Sequence, residues 1–222
     1  RITAQLIRTD DGTHLWSKPY DGDLKDVFKL QEDIARAITD ELEVVIAEGQ
    51  QLVPVATTNP EAYALYLKAT ATFDKRDGAH MAEAAQQLEQ AVKLDPRFAR
   101  AYSRLAAVYA ILPTYTGSET RETLPQVNAA AARATELDPK LAEPWAVLGL
   151  STSQGNAEQI ASREYFEKAL RIDPDDVTTN FWFALTLLRT GYHAAGIERL
   201  EHALAVDPGL PNAMRWRGVV YL

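Results

Sequence analysis

The four histidines, His14, His80, His193 and His202, are the side chains of this sequence best suited to bind a metal or to transfer a proton near neutral pH. A metal site on a helix usually places two ligands three or four residues apart, so that both project from one face. No pair of these histidines has that spacing. We therefore predict that they lie at the surface or in packing contacts, and that the chain carries no metal site.

Two other catalytic or metal-binding patterns begin in the sequence without being completed. The run Gly149-Leu150-Ser151-Thr152-Ser153 starts like the nucleophile turn of a hydrolase, but it lacks the second glycine and falls in a helical pattern. Asp173, Asp175 and Asp176 lack the glycine and glutamate that complete a calcium loop, so we expect them to cap helices. The sequence predicts no catalytic residue and no cofactor, and hence no enzyme within this chain.

Composition excludes several classes of function. The 222 residues carry 23 Lys and Arg against 31 Asp and Glu, a net charge of −8, without the basic stripe of a nucleic-acid binder. The sequence has no cysteine, which rules out disulfides and thiolate metal sites. It also has no apolar run of about 18 residues that could span a membrane. We expect a cytoplasmic protein with no nucleic-acid or membrane partner.

A repeated Asp-Pro pair organises most of the chain. The prolines of these pairs, Pro96, Pro139, Pro174 and Pro208, are separated by 43, 35 and 34 residues. Each Asp follows an alanine by four residues. A repeat near 34 residues is typical of stacked helical hairpins. Because proline lacks the amide hydrogen and clashes with the preceding turn, each pair should end one helix and start the next, with Asp capping and Pro in the first turn.

Apolar and small residues recur at helical spacing between these pairs. Trp145, Leu148 and Gly149 open one first helix, and Phe166 and Ala169 lie on the second helix of that unit. Small residues such as Gly149 and Ala169 should let helix backbones approach closely. A single hairpin cannot bury its apolar face alone, so the units should stack on one another.

The array should begin upstream of the first Asp-Pro pair. Asn59-Pro60-Glu61 has the composition of a helix start, and two helices are expected near 61–74 and 81–94. Counting this pair, four complete hairpins are expected, then a first helix at 211–222 whose apolar face should be uncovered, which indicates that the native protein continues.

The first interval is nine residues too long, and an insertion at 111–125 would account for it. This stretch is rich in Pro, Gly, Ser and Thr, which favours a loop. Two interpretations stay open for its polar part, 114–123. It could be a mobile connector, or a lip that contacts a bound partner.

The front of the chain has a different pattern. Residues 1–7 alternate in polarity, Asp11-Gly12 is a hairpin signal, and 14–20 reads as a second strand. Asp26 should cap a helix with one apolar stripe. Its members are Val27, Leu30, Ile34, Ile38, Leu42 and Val45. Because an isolated two-stranded hairpin is marginally stable, we expect a partner sheet upstream or in another molecule.

Two resemblances follow from these features. The period, small residues and Asp-Pro pairs over 59–222 resemble the tetratricopeptide repeat (TPR) family, which implies a mainly α fold, a right-handed superhelical solenoid of hairpins. The run "ITAQLI…DGTHLWSKPYDGDLKDVFKLQEDIARAI" resembles the end of a TolB-like α/β domain, here over 1–54 and without its first strands. This combination is similar to the sensory half of bacterial regulators that carry an adenylate/guanylate cyclase or winged-helix domain.

The TPR resemblance also implies a partner-binding surface on the first helix of each hairpin. Counting positions 2, 5, 9 and 12 in each unit gives Tyr63, Tyr66, Thr70, Phe73, Arg100, Ser103, Ala107, Ala110, Glu143, Ala146, Leu150, Ser153, Thr178, Phe181, Leu185, Leu188, Asn212 and Arg215. Some TPR proteins hold a terminal carboxylate with Lys and Asn at such positions. Tyr66, Ser103, Ala146 and Phe181 offer no cation, so we exclude that clamp.

The surface that remains is partly apolar, and two explanations compete. It could bind an amphipathic segment, or packing between repeats could bury it. We expect an interaction module of a bacterial signalling protein that binds a protein, a peptide or its own effector domain. The alternatives are part of a cyclase whose catalytic domain lies outside the chain, or an oligomerisation module acting through the incomplete sheet or the last helix.

Overall fold

The computed structural model describes residues 2–8, 11–22, 26–41, 56–154 and 159–221. Contacts divide the chain into two units, Arg1–Ala64 and Leu65–Leu222. Within the described residues there are two strands and ten helices. They are β1 (Ile2–Ile7), β2 (His14–Tyr20), α1 (Val27–Glu41), α2 (Pro60–Phe73), α3 (Gly78–Leu94), α4 (Ala99–Thr116), α5 (Thr120–Leu137), α6 (Ala142–Gln154), α7 (Gln159–Ile172), α8 (Val177–Arg189), α9 (His193–Val206) and α10 (Pro211–Val220).

The first unit contains the predicted hairpin. Strands β1 and β2 pair antiparallel, with Leu6 opposite Trp16, as the alternating pattern predicts. Gly12 adopts a positive φ of 71°, a conformation that glycine takes without a side-chain clash. The backbone amide of Thr13 donates to Asp11 Oδ1 at 2.9 Å, which fixes the turn before β2.

Helix α1 begins one residue after Asp26 and buries part of the predicted apolar stripe. Val27, Leu30, Ile34 and Ile38 are all half-buried. The last two members of the stripe, Leu42 and Val45, lie outside the described residues. Amphipathic burial on one face therefore explains the described part of the helix.

The second unit consists of helices packed side by side. The pairs α4–α5, α6–α7 and α8–α9 pack closely. Helix α4 also contacts α6, and α6 contacts α8. Helices α2 and α3, which precede these pairs, are joined by an ion pair between Lys68 and Glu83 at 3.5 Å. The stacked arrangement of hairpins predicted from the repeat is confirmed.

The Asp-Pro pairs end the helices as predicted, but they do not start the next ones. At Asp138, for example, the backbone amide donates to Ala134 O at 2.9 Å and closes α5. The carboxylate then accepts a hydrogen bond from the amide of Lys140 at 3.0 Å, and the carbonyl accepts from Leu141 at 3.3 Å. Pro139 lies in this turn, and α6 starts only at Ala142. The predicted Asp cap and first-turn proline are therefore wrong for these helices, because the pair is used for a β-turn with proline at its second position.

The predicted loop at 111–125 is also wrong. Helix α4 continues to Thr116 and α5 begins at Thr120, so only Gly117, Ser118 and Glu119 connect them. The extra residues lengthen both helices to 18 residues. Pro113 is buried inside α4, and Leu112 and Tyr115 beside it are half-buried. Burial of these apolar side chains outweighs the local preference of proline for a helix end.

Two glycines permit close approach between helices, as the small-residue pattern predicts. A Cβ atom on Gly149 would lie 2.9 Å from the Phe166 ring, and one on Gly196 would lie 2.7 Å from Leu188 Cγ. Both distances are below normal van der Waals contact. These glycines therefore set the separation of α6 from α7 and of α8 from α9.

We predict that Gly196→Ala lowers the free energy of unfolding by about 1–3 kcal/mol, because the added methyl overpacks the contact with Leu188. The matched control is Gly218→Ala in α10, where an added Cβ meets nothing within 4 Å. That change should be neutral or stabilise by up to about 1 kcal/mol through helix propensity. Chemical denaturation of both variants makes the comparison, and equal effects would contradict it.

Candidate partner-binding surface

The first residue of the predicted surface, Tyr63, is used for packing within the first unit. Its side chain is 9% exposed, and its ring lies 5.1 Å from that of Phe28. The Gln31 side chain donates to the Tyr63 hydroxyl at 2.7 Å. Packing against α1 therefore accounts for this aromatic residue.

In the second unit, the α2 positions of the predicted surface are also largely covered. Tyr66 lies 5.1 Å from the ring of Phe98, and Thr70 donates its hydroxyl to Tyr66 O at 2.9 Å. Phe73 is only 3% exposed. The Arg76 guanidinium lies 4.0 Å from the Phe73 ring centre and that of Arg104 lies 5.2 Å from it, both at cation–π distance.

A polar cluster joins α4 to α6 beside Phe73. Ser103 donates to Glu143 Oε2 at 2.6 Å, and Arg104 forms an ion pair with Glu143 Oε1 at 3.3 Å. Burial alone would lower the pKa of Arg104. Attraction to the Glu143 carboxylate, with smaller contributions from Tyr66 and Asp74, outweighs this effect of burial, so the pKa of Arg104 is raised. The guanidinium is therefore a fixed, neutralised charge in the interface between two repeats.

The remaining predicted positions fall into three groups. Four are buried in the repeat core: Ala107, Ala110, Ala146 and Phe181. Four are exposed on the helix surface: Arg100, Thr178, Asn212 and Arg215. The last group, Leu150, Ser153, Leu185 and Leu188, is half-buried. Packing thus explains the first group, while the exposed and half-buried residues are available to a partner.

Three of these leucines line an apolar cavity of about 760 Å³ formed by α6, α8, α9 and α10. Leu150, Leu185 and Leu188 form one side of it. The other apolar walls come from Ile197, Trp216, Val219 and Val220. Its volume lies within the range of ligand-binding clefts. We refer to it below as the α10 cavity.

The lining of the α10 cavity includes few polar side chains. Arg189 lines the cavity, but its guanidinium donates to Ser153 O at 2.6 Å. His193, at the start of α9, is exposed and also contributes to the lining. The cavity can therefore contact an apolar segment at its walls and a polar or acidic group beside it.

Helix α10 supplies the least covered wall. Val219 is 57% exposed and Trp216 is 38% exposed, and Met214 and Tyr221 are also largely exposed. The prediction of an uncovered apolar face on the last helix is confirmed for the described residues. Exposed apolar side chains that are grouped on one helix face often mark interaction surfaces.

The sequence interpretation missed several residues of these sites. Arg104 lies outside the counted positions, although it directly follows the counted Ser103, which was a usable signal. Ile197 was missed because it belongs to a second helix, and Trp216 because it follows the counted Arg215 by one residue. Their role depends on how α9 and α10 pack, which the repeat period alone does not give.

The incomplete chemical motifs have structural roles. Ser151 lies within helix α6 and donates its hydroxyl to Asn128 Oδ1 at 3.0 Å. Asp176 caps α8 by accepting from the Thr179 amide at 2.6 Å, as predicted. The predicted cap role is wrong for Asp175, whose carboxylate pairs instead with His202 at 3.0 Å. Across residues 2–8, 11–22, 26–41, 56–154 and 159–221, no group of three or more acidic or histidine side chains could hold a metal. In the same ranges, no helix combines the length and apolar character needed to cross a bilayer.

Comparisons with known proteins agree with this architecture. Residues 150–176 match the family model described as a tetratricopeptide repeat. The crystal structure of a thermophilic TPR protein from Thermus thermophilus is similar, with a TM-score of 0.61 at 17% identity, over 90% of this chain and 100% of that one. The structure therefore has a TPR-like solenoid fold, preceded by a small two-stranded antiparallel sheet.

One curated relative is similar in sequence. It is the protein of Rhizobium meliloti (strain 1021) named "Putative adenylate cyclase 3", which is 30% identical over 110 residues. The matched part is 49% of this chain and 19% of the relative. The chain thus spans less than a fifth of that relative's length.

Proposed function

We propose that this chain is a protein-binding module and that its partner occupies the α10 cavity. The observation that carries the proposal is the coincidence of two independent features. Three predicted surface leucines, Leu150, Leu185 and Leu188, meet in one apolar cavity of about 760 Å³. The fold that holds them is one whose members typically bind proteins or peptides and carry no catalytic centre.

The chemistry of the cavity favours an amphipathic helical segment as the occupant. Helix-in-groove recognition inserts apolar side chains spaced three or four residues apart into an apolar cleft. Aliphatic walls and the Trp216 ring provide such a cleft, and His193 beside them suits a polar or acidic position of the segment. Aromatic residues in such clefts often contribute most of the binding energy.

For the wider context, we propose a regulatory role in a bacterial signalling protein. Residues 1–54 would be the end of a TolB-like α/β domain and 59–222 a TPR array, with the whole working in the cytoplasm. The similarity to the Rhizobium meliloti relative supports a cyclase as the effector, whose catalytic domain would lie outside this chain. The bound segment would then come from that effector or from a separate protein.

Self-association is a second candidate function. The exposed apolar side chains of α10, such as Val219 and Tyr221, could pair with those of another copy. Light scattering over a range of concentrations distinguishes the two ideas. A concentration-dependent dimer lost in Val219→Asp favours self-association, and a strict monomer favours a different protein as the partner.

The proposed function is tested with helical peptides selected by display on the wild-type protein. We expect Val219→Asp to weaken binding of these peptides at least about tenfold, because it places an unpaired charge in an apolar contact. Val219 is 57% exposed, so the variant should fold normally. Fluorescence anisotropy with labelled peptides measures the dissociation constants.

Leu67→Asp is the matched control for this experiment. Leu67 is 44% exposed on α2 and does not line the α10 cavity. Binding should be unchanged in this variant. Equal affinity of the wild-type protein and Val219→Asp for every selected peptide would overturn the proposed site.

A further inference from the structure

A second cavity, lined from α7, α8 and α9, has a composition unlike that of the α10 cavity. Its volume is about 530 Å³, and three arginines, Arg163, Arg171 and Arg199, line it. Leu170, Phe183 and Leu187 contribute apolar walls. In a chain with 31 acidic and 23 basic residues, three guanidinium groups around one apolar cleft are not explained by overall charge.

One of these arginines is positioned by a buried amide. Asn180 is fully buried, and its amide nitrogen donates to Pro174 O at 2.9 Å and to Asp176 O at 3.0 Å. These bonds direct Asn180 Oδ1 to Arg199, whose Nη1 lies 3.4 Å away. Among the described residues, one long hydrogen bond holds Arg199 at the cavity, which leaves its other donors available.

The other two arginines of this cavity differ in their partners. Arg163 forms an ion pair with Glu167 at 2.9 Å and lies 5.9 Å from the Tyr192 ring centre. Arg171 makes no hydrogen bond or ion pair with another described residue, and it is exposed. Arg171, with no partner among the described residues, and Arg199, positioned by Asn180, both line the cavity and offer guanidinium donors to an oxyanion.

Carboxylates limit what the cavity can accept. Glu167 is engaged by Arg163, and Glu198 also lines the cavity. The lining therefore carries one more positive than negative charge. This balance suits one oxyanion and disfavours a strongly charged polyanion.

We propose that this cavity binds a small organic anion, one carboxylate or phosphate group attached to an apolar body. Arg171 and Arg199 hold the oxyanion, and the apolar body contacts Leu170, Phe183 and Leu187. Glu198 opposes binding through charge repulsion. The site is independent of the α10 cavity and of the partner bound there.

Phenyl phosphate and benzoate are suitable probes, with phenol as the uncharged control. We expect saturable binding of at least one anion, and weaker binding of phenol. Arg171→Gln and Arg199→Gln should each weaken anion binding at least about tenfold, because each removes a charge-assisted hydrogen bond. Glu198→Gln should strengthen it. Titration calorimetry and NMR shifts of residues around Leu170 measure these effects.

Arg97→Gln is the control for the change in charge, since Arg97 is exposed in the turn before α4. It should bind the anions as the wild-type protein does. Because Arg171 has no partner among the described residues, Arg171→Gln should keep the wild-type unfolding midpoint, so its loss of binding reports on the site. The proposal is overturned if neither anion saturates the wild-type protein, or if Arg97→Gln weakens binding as much as Arg171→Gln.

Discussion

Phe166→Ala is expected to lower the free energy of unfolding by about 3–5 kcal/mol, the largest effect of any single change considered. Phe166 is fully buried, and its ring stacks on that of Phe183 at 5.0 Å. It also fills the space opposite Gly149, which has no side chain to close a cavity. One ring thus joins α6, α7 and α8, so its removal affects two successive hairpins.

Urea or guanidinium denaturation followed by circular dichroism measures this loss. Tyr221→Ala is the matched control, because Tyr221 is 64% exposed and its removal creates no cavity. The control should change the unfolding free energy by less than about 0.5 kcal/mol. A loss below about 1 kcal/mol for Phe166→Ala would contradict the close packing of the hairpins.

The second large effect concerns the ion pair between α4 and α6. Glu143→Ala should lower the free energy of unfolding by roughly 1–3 kcal/mol, because it leaves the Arg104 guanidinium and the Ser103 hydroxyl without their acceptor. The Arg104 and Glu143 side chains are only 24% and 29% exposed, so solvent hydrates an unpaired charge there poorly. Adding Arg104→Met should restore part of the loss, because it removes the unpaired charge and keeps an unbranched side chain of similar length.

A double-mutant cycle over Arg104 and Glu143 measures this coupling, which should reach at least about 1 kcal/mol. The exposed pair Arg133–Glu136, at 3.1 Å with 43% and 64% exposure, is the control. Its coupling should stay below about 0.5 kcal/mol, as for other surface pairs. Equal coupling in the two cycles would show that the cluster is no more than a surface ion pair.

The sequence was sufficient to predict the helical hairpins because their boundaries depend on local chemistry. Each of the four Asp-Pro pairs follows the end of a helix, where Asp closes a turn and the missing amide hydrogen of proline leaves no helical hydrogen bond unmade. The position of the pair was predicted wrongly, because it lies in a β-turn and not at the start of the next helix. Asp138 can either cap the next helix or close a turn, and both uses satisfy the same carboxylate.

The error at 111–125 has a different origin. Local preferences of proline and glycine favour a loop there, but they are weak compared with tertiary burial. Pro113 is buried in α4, and its neighbours bury apolar surface as well. Because that burial depends on α5 lying alongside, it could not be predicted from residues 111–125 alone.

The site could be predicted only in part for a related reason. The position count that the TPR resemblance implies includes Leu150, Leu185 and Leu188, and these three leucines line one cavity. Such a count does not show which of the predicted surface residues a neighbouring helix covers. Ala146 and Phe181 have the same period as those leucines, yet they are buried in the core.

Site-specific photo-crosslinking in cells tests directly whether the stacked hairpins leave the α10 cavity open for a partner segment. A photoreactive amino acid replaces Trp216, which lines the cavity, or Glu164, which is exposed on α7 and does not. We expect a discrete crosslinked partner at position 216, joined through an amphipathic helical segment, and no such product at position 164. The same product from both positions, or crosslinks only at position 164, would contradict it.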